Sequence, residues 1–360
     1  MNGPIPGGWT ANPKSEIRNS DPLSAIFVLM SNAFVDPPVS VRSHPLCLEH
    51  EPGLGHPEDA KRVRVVLDAL TARSEGRWVV DEESPLPSEE DVIGALAWVH
   101  DRDYIERVRE ASRQGSGWLD SEDCRVSPGT FTAALTAAGL VLQAALDMVN
   151  GRVKRVFVVA RPPAHHASRD RASGYCFFNS TALTAEVLTR SWNQPVVIAD
   201  FGALHGDGTQ QQFFDRKDVG YFSVHRYPAF PGTGGADEIG ENEGRGTTRN
   251  IPLAGGSGDD IICAAFEDAL AEICSEIRPA AIVLSAGFDA HRDDPLGGMS
   301  MTEAGFGRLT AAAVAAAETW SKGRLLSILE GGFNLEALAN SARIHVEELA
   351  KISGHNRQTD

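Results

Sequence analysis

Short runs of apolar residues with little alternation recur along the chain at 156–159, 196–200, 220–224, 281–285 and 325–329. Runs of that length, bounded by polar residues and glycines, predict strands buried on both faces of a parallel sheet. Residues 25–30 are the first strand candidate. Longer segments between these runs keep the helical period. Residues 130–149 place Leu135, Leu142, Leu146 and Val149 on one face, behind Ser127-Pro128 and ahead of Asn150-Gly151, which reads as a helix with both ends marked. Residues 259–277 put Ile262, Phe266, Leu270, Ile273 and Ile277 on one side. Pro57 opens a third helix, with Val63, Val66, Leu67 and Leu70 spaced i, i+3, i+4, i+7. Another helix runs to about residue 190, and an Ala-rich one separates the last two strands. Strands alternating with helices, without repeat or linker, predict an α/β fold of three layers, a mainly parallel sheet covered on both sides, as one domain over 23–352.

Two stretches carry no such period. Residues 1–22 are rich in Gly, Pro, Asn and Ser and read as an arm, either disordered or docked on a neighbouring subunit of a homo-oligomer; 353–360 is a short tail. The loop through Pro37, Pro38, His44, Cys47, His50, Gly53, Gly55 and His56 is too irregular for an element and too long for a plain connection, a combination that marks the rim of a site. The stretch from Phe230 to Arg249 is a second long loop.

Composition narrows the function classes. A chain of 360 residues, 42% of them hydrophobic, can bury a large core. Its 33 basic and 49 acidic residues leave a net charge of −16, which argues against a nucleic-acid footprint and for solubility, with mild attraction of cations. The five cysteines are odd in number and widely spaced, so neither a disulfide framework nor a Cys zinc site is indicated and a reducing cytoplasm is expected. The apolar run at 25–30 is far too short to span a bilayer.

The chemistry gathers where the run at 196–200 breaks into Asp200-Phe201-Gly202-Ala203-Leu204-His205-Gly206-Asp207-Gly208. A strand ending this way delivers polar residues to the carboxyl edge of a sheet. With Arg161-Pro162-Pro163-Ala164-His165-His166 and Ser285-Ala286-Gly287-Phe288-Asp289-Ala290-His291, this stretch resembles the histone deacetylase superfamily, which includes the acetylpolyamine amidohydrolases and acetoin-utilisation proteins. Gly55-His56-Pro57-Glu58 and His100-Asp101-Arg102-Asp103-Tyr104 match further signatures, and the resemblance covers roughly 23–349. It implies an arginase–deacetylase fold. It also implies roles for particular residues: His165 and His166 as the tandem histidines, with Asp200 and Asp207 as their carboxylate partners. Tyr175 and Phe230 fall on the aromatic walls of the acyl-lysine tunnel, and Gly174 on the glycine whose carbonyl meets the substrate amide. Asp200 and Ser223 fall on positions that bind a structural potassium ion.

The resemblance breaks at the metal. Where the family carries its other two zinc ligands beside Asp289, this chain has Gly202 and Leu204, and Phe333 replaces the family's Tyr in Glu330-Gly331-Gly332-Phe333. Gly202, Leu204, Gly332 and Phe333 then form a roomier, more apolar floor to the substrate site, and Asp289, lacking a cation, should have a raised pKa. Catalytic zinc needs about three protein ligands, so none is expected. For the His pair the bland reading is an inherited leftover; retention of both Asp partners favours function. Asp289 serves equally well as a turn-forming residue or a catalytic one, while His225, His291 and Cys176 read as structural. Three functions follow. The first is a metal-independent enzyme using His-Asp dyads for ester or thioester hydrolysis, acyl transfer, elimination or isomerisation on a small or acyl-chain substrate. The second is a non-catalytic receptor. The third is a zinc deacetylase with ligands recruited from His50 or His56.

Overall fold

A computed structural model describes residues 39–115 and 117–351; the arm at 1–22, the strand at 25–30 and the tail at 353–360 lie outside these. Eight strands are described: β1 (Val39–Arg42), β2 (Trp78–Asp81), β3 (Arg155–Val158), β4 (Val196–Phe201), β5 (Val219–Arg226), β6 (Thr248–Leu253), β7 (Ile282–Ala286) and β8 (Leu325–Leu329). They form one sheet in the order β2-β1-β3-β8-β7-β4-β5-β6, and every pairing is parallel. The central strands β4, β7 and β8 are buried at every position, which is why they read as unbroken apolar runs. β1, β2 and β6 were not anticipated. β1 lies inside the stretch expected to be loop, and β2 and β6 form the sheet edges, where half-exposed residues weaken the apolar signal.

The helices are α1 (Lys61–Thr71), α2 (Glu89–Leu96), α3 (Arg102–Gln114), α4 (Thr130–Val149), α5 (Ser180–Trp192), α6 (Asp207–Phe213), α7 (Asp259–Ile277), α8 (Glu303–Trp320) and α9 (Leu335–Leu349). α1, α7, α8 and α9 cover one face of the sheet; α2 to α6 cover the other. α4 and α7 span the residues their periodicity predicts. α4 is long and apolar enough to cross a membrane, yet most of it is buried within the protein, around nearly its whole circumference and not along one stripe. α1 begins at Lys61, not at Pro57. Its expected first turn instead sends the Glu58 side chain inward to Arg62 and Arg161.

Chain order places the site. From β4 the chain moves one way to β5 and β6; β7 returns to the other side of β4 and leads away to β8. The β4–β7 boundary is therefore a topological switch point, where the loops leaving the strands part and open a crevice at their carboxyl ends.

Candidate active site

The loop after β3 carries His165 and His166, and a buried carboxylate holds it. Glu330, directly after β8, accepts from the Ala164 and His165 backbone N–H groups at 2.6 and 3.2 Å and from the Thr181 and Ser285 hydroxyls at 2.9 and 3.1 Å. With the backbone anchored, each imidazole meets its own carboxylate. His165 Nδ1 donates to Asp200 at 3.2 Å and His166 Nδ1 to Asp207 Oδ1 at 2.7 Å, with ring centroids 4.1 Å apart. Gly174 must be glycine: its φ is +55°, and a Cβ there would lie 2.2 Å from His166 Cδ2. Its carbonyl accepts from the buried Cys176 thiol. The segment at 100–104 braces the same turn, His100 Nε2 accepting from Asn179 N and Tyr104 OH donating to Phe177 O.

Two adjacent imidazoles resist holding two protons. Burial pulls His165 down, but the charges of Asp200, Glu330 and Asp289 outweigh it and raise its pKa to about 10. His166 moves the other way, lowered by burial and by the neighbouring His165 charge against the pull of Asp207. The pair thus carries one positive charge near neutral pH, on His165. Neutral His166 spends its Nδ1 proton on Asp207, which leaves Nε2 as its basic atom.

His165, His166, Gly174, Tyr175, Leu204, Phe230, Asp289 and Phe333 line one cleft of about 220 Å³. Its walls are aromatic: Tyr175 meets Phe333 edge-on at 5.8 Å and Phe230 meets His166 at 5.1 Å. Tyr175 holds a φ of +68°, a conformation that bulky residues adopt only under constraint from their surroundings. Two expected floor residues lie elsewhere. Gly332 turns away, its carbonyl accepting from Arg62 Nε at 2.7 Å, and Gly331 lines the cleft in its place. Gly202 sits beneath Asp289, whose Oδ1 lies 2.8 Å from where a Gly202 Cβ would stand and accepts from the Ala203 N–H at 2.7 Å. Asp289 thus fills the space a larger residue at 202 would need. Burial and nearby Asp294 raise its pKa to about 6, against the pull of the Ala203 N–H, His165 and Arg62.

A group whose folded pKa is raised from 3.8 to about 6 favours folding less as pH climbs through that window, and its cost is complete above it. Asp289→Asn keeps the acceptor for Ala203 N–H without the charge. It should stabilise the chain by about 1–3 kcal/mol at pH 8 and change little at pH 4, as paired thermal melts would reveal.

The family resemblance implies three zinc-ligand positions in this cleft. Of the three ligand positions, Gly202 has no side chain, Leu204 offers only hydrocarbon, and Asp289 alone has a donor. Among the described residues no group of three or more His, Cys, Asp or Glu side chains is arranged to hold a metal. His50 is buried against Thr130 and Glu58, and His56 caps the Glu58 N–H while its ring meets Tyr175. Asp200 and Ser223, by contrast, stand opposite each other in the β4–β5 register.

Sequence reasoning missed a group of buried charges behind the floor. Glu58, Arg62 and Arg161 are fully buried. Arg161 binds Glu58 and the His50 carbonyl, while Arg62 binds Glu58 and the carbonyls of Glu330 and Gly332, with its guanidinium 4.9 Å from the Phe333 ring centre. Asp123 and Arg226 also line the cleft, and Asp123 accepts from the Gly174 N–H. Arg161 and Glu330 lay inside motifs quoted for their neighbours; Asp123 had no local signal. His225 and His291 are buried, His225 between Ser223 and the Gly234 carbonyl.

A parallel sheet between two helical layers, with paired histidines over the carboxyl ends of its central strands, is the arginase–deacetylase architecture. The crystal structure of the HDA15 HD domain superposes on this chain with a TM-score of 0.80 at 34% identity, covering 87% of this chain and 88% of that one. Residues 56–349 match the family described as histone deacetylase domain, and the chain belongs to that family. Its relatives include a probable deacetylase of Archaeoglobus fulgidus, 35% identical over 81% of this chain and 80% of that protein. They also include the histone deacetylase-like amidohydrolase of Pseudomonas aeruginosa, 34% identical over 82% and 76%.

Proposed function

We propose that this deacetylase-like chain is a metal-independent acid–base enzyme that hydrolyses or transfers an activated acyl group on a small or acyl-chain substrate. One observation carries the reading. His166 is oriented by Asp207 at 2.7 Å and borders an aromatic-walled cleft lined by Leu204, where the family resemblance implies a zinc ligand. In the proposed step, His166 Nε2 takes the proton of a water or hydroxyl as its oxygen bonds to the acyl carbon. The carbonyl electron pair moves to oxygen, where the Asp289 carboxyl donates a hydrogen bond. Collapse re-forms the carbonyl as the leaving group departs with the proton from His166. His165, held cationic by Asp200, adds positive charge beside the developing oxyanion. Without a Lewis acid, ester or thioester bonds suit the site better than amides. A monovalent cation held by Asp200 and Ser223 belongs to the same proposal and would offset charge beneath the site. The expected setting is the cytoplasm, with no nucleic-acid or membrane partner; all five cysteines are buried free thiols.

The test is turnover of 4-nitrophenyl esters by zinc-free protein. His166→Ala should lower kcat/KM about a hundredfold or more. The rate should rise as His166 loses its proton and fall as Asp289 ionises above a pH of about 6, a limb that Asp289→Asn removes. Turnover indifferent to His166→Ala would sink the proposal. Binding of such esters without turnover would favour the receptor reading, which the aromatic walls also suit.

A further inference from the structure

Arg226 closes β5 at the edge of the cleft, and among the described residues no acceptor meets its side chain. Its backbone N–H is in use, donating to the Ala203 carbonyl at 3.0 Å and tying the strand end to the β4 loop. The side chain lies over Gly298, at φ +63°, where a Cβ would come within 2.1 Å of Nη1; this slot admits the guanidinium only because residue 298 is glycine. Among the described residues no carboxylate stands within 4.0 Å of it, and Nε is shut off from solvent with no hydrogen-bond partner. Arg62 and Arg161, the buried arginines behind the floor, are held by Glu58 and backbone carbonyls. The cleft that Arg226 lines is also bordered by Leu204, Phe230 and Leu296 and by the carboxylates of Asp123 and Asp289. A guanidinium at the edge of a cleft with an unfilled N–H is set to receive a ligand, and its planar fork matches a carboxylate through two parallel bonds.

We propose that Arg226 determines specificity by binding a carboxylate of the substrate. Resting on the acyl-transfer reading above, this makes the substrate a half-ester or half-thioester of a small dicarboxylic acid. Size supports that class. A cleft of about 220 Å³ holds the volume of about seven waters, so the carboxylate at Arg226 and the acyl carbon at His166 belong to one short molecule.

The experiment measures binding of glutarate and dimethyl glutarate to the full chain by calorimetry, alongside turnover of mono-4-nitrophenyl glutarate and 4-nitrophenyl butyrate. The wild type should favour the charged member of each pair by at least about tenfold. Arg226→Gln should bring both ratios close to one, and Arg226→Lys should restore part of the preference. Equal binding of glutarate and its diester by the wild type, or undiminished glutarate affinity in Arg226→Gln, overturns the assignment. The wild-type ratios decide the matter if the Gln variant does not fold. A charge preference in binding with no turnover of either ester leaves Arg226 standing and removes the catalytic reading. His166-dependent turnover without charge preference does the reverse.

Discussion

Glu58→Gln is expected to lower the unfolding free energy by about 3–5 kcal/mol, because it strands buried guanidinium groups without their counter-charge. Glu58, Arg62 and Arg161 have no exposed side-chain surface, so water cannot take over the lost pairing. Typical domains are stable by only about 5–15 kcal/mol in total, and this one change would consume a large share. Its pH signature separates it from a packing defect. Burial alone would raise the Glu58 pKa, but the charge and hydrogen bonds of Arg161, with His50 and Arg62, overcome it and push the pKa down to about 2 from 4.5. A depressed carboxylate supplies stability that is complete above its unfolded pKa and is lost as pH falls from 4.5 toward 2. Denaturant melts between pH 2 and pH 7 should show that acid-side loss in the wild type and a flatter curve in the variant. A loss under about 1 kcal/mol at pH 7 would mean the cluster tolerates an uncompensated charge. The consequence reaches the site, since Arg62 also holds the carbonyls of Glu330 and Gly332 beneath Phe333.

The parts of this protein legible in the sequence are those whose signal is local. β4, β7 and β8 are buried on both faces, so their apolar runs are continuous, and α7 shows its buried face through plain periodicity. β1 is short, and its apolar pattern is broken by Ser40 and Arg42. β6 contains Pro252, a residue that an edge strand tolerates because it can lack one donor. The buried charges were illegible for a different reason. Glu58 reads as the acidic first turn of a helix until Arg161, 103 residues away, is placed beside it. Glu330 likewise meets the Ala164 N–H across 166 residues. The position of Asp289 follows the same logic. That Gly202 and Leu204 stand where the resemblance implies partners for Asp289 is visible in the sequence; that Asp289 leans onto the Ala203 N–H over Gly202 depends on the backbone at the switch point.

That lean sets the terms for building a metal site here. Gly202→Asp alone should destabilise the chain by about 1–3 kcal/mol, since its Cβ would arrive 2.8 Å from Asp289 Oδ1 and set a second carboxylate beside a buried first. Leu204→His added to it supplies the third donor, and Phe333→Tyr a hydroxyl at the opposite wall of the same cleft. With zinc present the two carboxylates no longer repel: Asp289 must exchange the Ala203 N–H for the ion, and both charges then count in favour of folding. The triple variant is therefore expected to be less stable than the wild type without zinc and to gain about 2.7 kcal/mol at a zinc concentration a hundred times its dissociation constant. The wild type, with Asp289 as its sole donor among these positions, should not respond to zinc. Elemental analysis after dialysis should give one zinc per triple-variant chain, and acetyl-lysine hydrolysis should appear with it. A triple variant that folds and stays zinc-free would show that Asp289 cannot leave the Ala203 N–H, so that side-chain replacement in the loop after β4 does not by itself build a zinc site.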